Sequence, residues 1–100
     1  MLSKNEELVL EACKGASKNR PITRLELKII TKLNDSDNRE IIGRLRDYGY
    51  RIAHSNKGYW YANDAEYSEW ISRYVKNANT IYKRKAAMDN FVEGQAGIDG

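Results

Sequence analysis

The residue types that carry covalent or metal chemistry are scarce in this chain. Its 100 residues hold one histidine, His54, and one cysteine, Cys13. A zinc-type site needs several ligands at set spacings, and no Cys, His, Asp or Glu set of that kind surrounds His54. A general base needs a partner and a pocket. Ser55, next to His54, reads as a turn neighbour. Phosphate-cradling glycine loops and the nucleophile elbow are missing. Cys13 lies among Leu8, Val9, Leu10, Ala12 and Ala16, which predicts a buried, inert thiol. One cysteine forms no intrachain disulfide and fits a reducing compartment. These residues lead us to expect no catalysis, no metal and no cofactor.

What remains is cationic and aromatic chemistry. Residues 18–62 carry ten Lys/Arg against five Asp/Glu, a net +5, while the segments on either side are each at −1. A basic middle is a mild footprint for a polyanion partner. Seven Tyr and two Trp stand against one Phe. Such rings suit half-buried positions and interfaces. Tyr59-Trp60-Tyr61 could stack on bases. Strand alternation, however, puts Tyr59 and Tyr61 on one face and Trp60 on the other, so at least two of the three are expected to pack on helices.

These groups must be placed by short elements. Ser3-x-x-Glu6 is a capping box that opens a helix over about 4–16, ended by Gly15, Ser17, Asn19 and Pro21. Thr23 caps a second helix over about 24–33, with Leu25, Leu27, Ile29, Ile30 and Leu33 as its apolar positions. Asn34-Asp35-Ser36-Asp37 breaks the chain, and a third helix runs to about Asp47, with Ile41, Ile42 and Leu45 as its core stripe and Gly49 as its stop. Asp37-x-x-Glu40 is a possible capping box for it. The period then changes to two. Residues 51–54 and 59–62 read as strands around a basic turn, Ser55-Asn56-Lys57-Gly58. From Asn63 or Asp64 a last helix runs over about 65–92, roughly 40 Å long at 1.5 Å per residue. Gly94 to Gly100 reads as a disordered tail. The fold class is mainly α with a small β-hairpin, α+β. The division is a body at 1–63, a C-terminal helix at 64–92 and a tail at 93–100.

The middle segment resembles the helix-turn-helix of biotin-repressor-type winged helices, and more closely the small winged-helix proteins of phages and prophages in Gram-positive bacteria. Three runs carry the resemblance: Ile22-Thr23-x-x-Glu26-Leu27, Arg39-x-x-Ile42-x-x-Leu45-Arg46-x-x-Gly49-Tyr50-x-Ile52 and Ser55-x-Lys57-Gly58-Tyr59-Trp60. They span about residues 20–62. One departure is Asn38, where the family has an apolar residue; it predicts a tilted or shifted start of the third helix.

The resemblance implies a winged helix-turn-helix with a long C-terminal helix, binding double-stranded DNA. The third helix would enter the major groove and the hairpin would touch phosphate or the minor groove. Arg20, Arg24, Lys28, Arg39, Arg44 and Lys57 are the expected phosphate contacts, and six of them imply a salt slope near −5. With Ile41, Ile42 and Leu45 on the core, the opposite face of the third helix is Ser36, Glu40, Gly43 and Asp47, flanked by Arg39 and Arg44. Glu40 and Asp47 sit badly against phosphate. Arg46 reads as a solvated or salt-bridged surface charge. The long helix has more apolar stripe than the body can cover. Tyr74, Ala78, Ile81, Tyr82 and Met88 are therefore expected at a homodimer interface. A phage-type transcriptional regulator or a replication or recombination accessory factor fits this pattern. An adaptor or inhibitor that holds a host or phage protein through the same surfaces is the other reading. No membrane-spanning run and no apolar leader occurs, so the expected location is the bacterial cytoplasm.

Overall fold

The computed structural model describes residues 1–74 and 80–90. Their order is α1 (Lys4–Lys14), α2 (Arg24–Thr31), α3 (Asp35–Asp47), β1 (Ile52–Ser55), β2 (Gly58–Tyr61), α4 (Asp64–Tyr74) and α5 (Thr80–Asp89). The strands pair antiparallel, from Ile52 opposite Tyr61 to Ser55 opposite Gly58. The architecture is α+β and mainly helical.

Local chemistry sets the ends. Reciprocal capping boxes open α1 (Ser3 with Glu6) and α2 (Thr23 with Glu26). Asn63 and Glu66 make the same exchange at α4. The cap of α3 is Asn34, whose Oδ1 accepts from the Asp37 N–H at 2.8 Å. Helix therefore begins before the Asp37–Glu40 pair that had been one candidate cap. At its other end the Gly49 N–H donates to the Arg46 carbonyl and the Tyr50 N–H to the Leu45 carbonyl. That bond pair is a Schellman stop, and Gly49, at φ 105°, supplies the left-handed residue it needs.

A third extended segment joins the hairpin. Ile22 and Tyr59 exchange both backbone hydrogen bonds, at 2.8 and 2.9 Å. The contact is so close that a Cβ on Gly58 would fall 2.1 Å from the Ile22 carbonyl oxygen. Gly58 is thus needed for the approach of this segment.

Two cores lie on the two faces of the hairpin. The first joins α1, α2 and α3 through Val9, Leu10, Cys13, Leu27, Ile41, Ile42 and Leu45, with Ile52 and Tyr59. The second joins Ala53 and Trp60 to Tyr67, Trp70, Ile71 and Tyr74 of α4 and Met88 of α5. Tyr59 and Trp60, neighbours in sequence, therefore serve different cores, and neither is free to stack on a base.

Two expectations fail here. In α2, Leu27 is fully buried, but Leu25 and Ile29 are 64% and 68% exposed. The side turned inward is Leu27 and Thr31. An eight-residue helix offers its core only one narrow strip, and Thr31 makes that strip polar at one end. Its hydroxyl lies 2.9 Å from both the Leu27 carbonyl oxygen and Asn38 Oδ1. The buried Asn38 amide also reaches the Leu33 carbonyl. Asn38, an amide among the apolar positions of α3, is therefore matched by Thr31.

The second failure is the long C-terminal helix. The Tyr67 hydroxyl donates to the Asp89 carboxylate, and an Arg84 Nη donates to the Tyr74 hydroxyl. In one continuous helix Tyr67 and Asp89 would be about 33 Å apart. Instead α5 folds back to pack on α3, and the Tyr67 and Tyr74 side chains of α4 reach it. Tyr74 and Met88, assigned to a dimer interface, are buried inside the chain. Folding back lets one short domain cover a stripe that an extended helix would leave in water. Tyr82 is exposed. Ala78, the Ile81 side chain and the 93–100 tail lie outside the described residues. Among the described residues no helix is long and apolar enough to cross a membrane.

Leu27→Ala should destabilise the fold by about 2–5 kcal/mol, and Leu25→Ala should change it by no more than about 0.5 kcal/mol. Urea unfolding of the two variants checks the inward side of α2; similar losses would mean the side is assigned wrongly.

Candidate functional site

Arg39, Ile42 and Arg46 are spaced i, i+3 and i+7, so α3 presents them along one side. That side faces the N-terminus of α2 and the hairpin. Between the three lies a groove of about 600 Å³, lined by Thr23, Arg24, Arg39, Ile42, Arg46 and residues 54–59. Among the described residues its lining holds four cationic side chains, Arg24, Arg39, Arg46 and Lys57, and no carboxylate. Asp35 sits outside and is shared: its Oδ2 is 3.3 Å from Arg39 Nε and 3.7 Å from an Arg24 Nη. Arg20, Lys28 and Lys32, close to α2 in sequence, are exposed.

Arg46 departs most from expectation. It is 5% exposed. Its Nε donates to the Ile52 carbonyl at 2.8 Å, Nη1 to the Tyr74 hydroxyl at 3.2 Å, and Nη2 to His54 Nδ1 at 3.1 Å. The guanidinium carbon lies 4.7 Å from the ring centres of both Trp70 and Tyr74. Those rings stack on each other at 4.4 Å. The charge is held by neutral acceptors and π-faces; among the described residues it has no carboxylate partner. A buried cation of this kind leaves a positive potential that water screens poorly. Sequence alone reads Arg46 as a surface charge, because its partners Ile52, His54 and Tyr74 come from β1 and α4.

His54 is tied to the same group. A guanidinium only donates, so Nδ1 must accept and the ring is the neutral Nε2–H tautomer. The imidazole meets Trp70, Tyr74 and Tyr59 edge-on, at 5.7 to 6.1 Å between ring centres. Although part of the residue is exposed, desolvation by the packed rings, and then the Arg46 charge, pull its pKa down to about 4.

The expected contact residues do not all fall on this face. Ser36, Arg39 and Glu40, in the first half of α3, are exposed, as are Arg20, Arg24, Lys28 and Lys57. Gly43 is not available: it is buried under Arg84 of α5, whose Nη2 would lie 2.8 Å from an added Cβ. Arg84 Nε also pairs with Asp47 at 2.8 Å. Arg44 is drawn off to α1, where its Nε is 3.0 Å from the buried Glu6 carboxylate, and a second nitrogen is 3.6 Å from Glu40. The Glu6 carboxyl is held below its usual range by the Ser3 N–H first, with Arg44 and Tyr48 adding to this against the opposing effect of burial. Both carboxylates that argued against a polyanion on α3 are thus matched by arginines. Arg51 is used internally too, between Asp64 and the Met88 carbonyl.

Cys13 is fully buried, and burial pushes its thiol up to about 12. Such a thiol stays protonated and unreactive at neutral pH. Among the described residues no group of His, Cys, Asp and Glu is arranged to hold a metal ion. The chain matches no protein-family model, no curated protein and no solved structure.

The depressed His54 pKa has a definite sign. The unfolded chain takes up this proton near pH 6.5 and the folded one only near 4. Stability should therefore be flat above about pH 6.5 and fall as the pH drops toward 4. His54→Asn, which keeps an acceptor for Arg46, should lose that slope between about pH 6.5 and 5. Urea midpoints of both proteins over this window, with the imidazole titration followed by NMR, make the check; a ring titrating near 6.5 would remove the basis for it.

Proposed function

We propose that this chain binds double-stranded DNA as a small winged helix-turn-helix protein and carries no catalytic site. In this reading it serves as a phage- or prophage-type transcriptional regulator, or as an accessory factor in replication or recombination. The observation that carries the proposal is the groove between α2, α3 and the hairpin, which has no carboxylate among its described lining residues, with Arg24, Arg39 and Lys57 at its rim and Arg46 below, unpaired with any described acid. Support also comes from the helix, helix, helix, hairpin order and from the Ile22 bridge to the hairpin.

Recognition helices of this type use their N-terminal residues on base edges. Ser36, Arg39 and Glu40 occupy that half of α3, while α5 covers the other half at Gly43 and Asp47. Arg39 is long enough to reach a guanine edge, and Glu40 can accept from a cytosine amino group. Arg20, Arg24 and Lys57 are assigned to phosphates, which give affinity and register without sequence information. Arg44 leaves the set because it is committed to Glu6.

With four cations in play, counting Arg39, the plot of log K against log salt should have a slope near −3.5. Lys57→Ala should weaken all duplexes alike and reduce that slope by about 1, whereas Arg39→Ala should cost about 1–3 kcal/mol and relax sequence preference. Arg44→Ala should leave duplex affinity within about twofold, and should lower stability because the buried Glu6 carboxylate loses its ion-pair partner. A mixed duplex library measured across a salt series decides this. No retained duplex at about 50 mM salt, or an Arg44→Ala loss as large as that of Arg39→Ala, would end the reading.

A further inference from the structure

The DNA reading leaves one surface unused. On α2, Leu25 and Ile29 stand one turn apart, directly opposite the buried Leu27, at 64% and 68% exposure, with Ile30 beside them at 40%. None of the three lines the groove. Three aliphatic side chains grouped on the outward side of one short helix are apolar surface that a partner could cover. Lys28 and Lys32 flank this strip on one side, and neither has an ion-pair partner among the described residues. On the other side stands Glu26, whose carboxylate is already engaged by the Thr23 N–H. The strip is therefore apolar with a cationic edge.

We infer that this face of α2 docks an acidic amphipathic helix of another protein, with aliphatic residues at i and i+4 set against Leu25 and Ile29 and carboxylates against Lys28 and Lys32. The size of the strip argues against a second copy of this chain. An eight-residue helix is about 12 Å long and about 10 Å across, so its outer face is on the order of 100 Å², far short of the roughly 800 Å² each partner gives to a stable interface. One helix laid along α2 fits that area and would be held weakly and reversibly. A helix-in-groove partner is read through just such i, i+4 anchors.

The test uses the full chain and a displayed library of helical peptides with randomised surface positions, counter-selected against Leu25→Ser/Ile29→Ser. Both exchanged side chains are exposed, so that variant should keep the wild-type circular dichroism and the wild-type duplex affinity. Recovered peptides should carry a Leu or Ile pair at i, i+4 flanked by Asp or Glu. Their binding should drop at least tenfold on Leu25→Ser/Ile29→Ser and about tenfold on Lys28→Glu/Lys32→Glu. Recovery of no peptide that distinguishes the variant, or of peptides without an acidic bias, overturns the inference. Sedimentation showing a dimer that the serine variant abolishes also overturns it and gives the face to a second copy. Loss of duplex binding in the arginine variants leaves this result untouched, so the two readings fail separately.

Discussion

The structure turns on one buried guanidinium. Arg46 is fixed by the Ile52 carbonyl, the Tyr74 hydroxyl, His54 Nδ1 and the faces of Trp70 and Tyr74. Those partners come from β1 and α4, while Arg46 itself belongs to α3. A group that costs several kcal/mol to desolvate is tolerated only where its donors are used and its charge meets polarisable surface. The arrangement therefore sets the position of α4 against the hairpin. It is also why two apolar clusters, one on each face of a two-stranded ribbon, make one domain.

The return of α5 follows from the same packing and changes what α3 can offer. Arg84 lies over Gly43 and pairs with Asp47, so the second half of α3 is covered by the chain's own C-terminal part. The first half stays open. Glycine at position 43 gives the guanidinium room to lie flat against the helix. The same contact neutralises an acid that would repel phosphate. One interaction thus narrows the exposed face and improves its electrostatics.

Net charge alone is a poor guide to this surface. The middle segment carries +5, but Arg44 and Arg51 are held by acids from other segments and Arg46 is buried. Two arginines share Asp35. The cations that remain at the groove are few, and their proximity to a buried charge that no described acid pairs with matters more than their number. The hydrophobic surface is divided in a similar way: Leu27 and Leu25 have the same side chain two positions apart, yet one is core and the other faces water.

Everything that depends on neighbours within a few residues was legible in the chain itself. Caps at Ser3 and Thr23, the Gly49 stop, the hairpin between His54 and Tyr59 and the buried Cys13 rest on short-range hydrogen bonds and on periodicity, and the structure has them. Of the candidate site, the exposure of Arg24, Arg39 and Lys57 was legible for the same reason. Gly43, Tyr74 and Met88 were misplaced, and the pairing of Arg44 with Glu6 went unseen, because the contacts that decide them, from Arg84, Arg46, Arg51 and Glu6, come from distant parts of the chain. Which side of α2 turns inward, whether the last helix runs on or folds back, and which arginine is buried are decided by long-range packing. A helical period of 3.6 fits an inward or an outward stripe equally well, so only the tertiary contacts select between them.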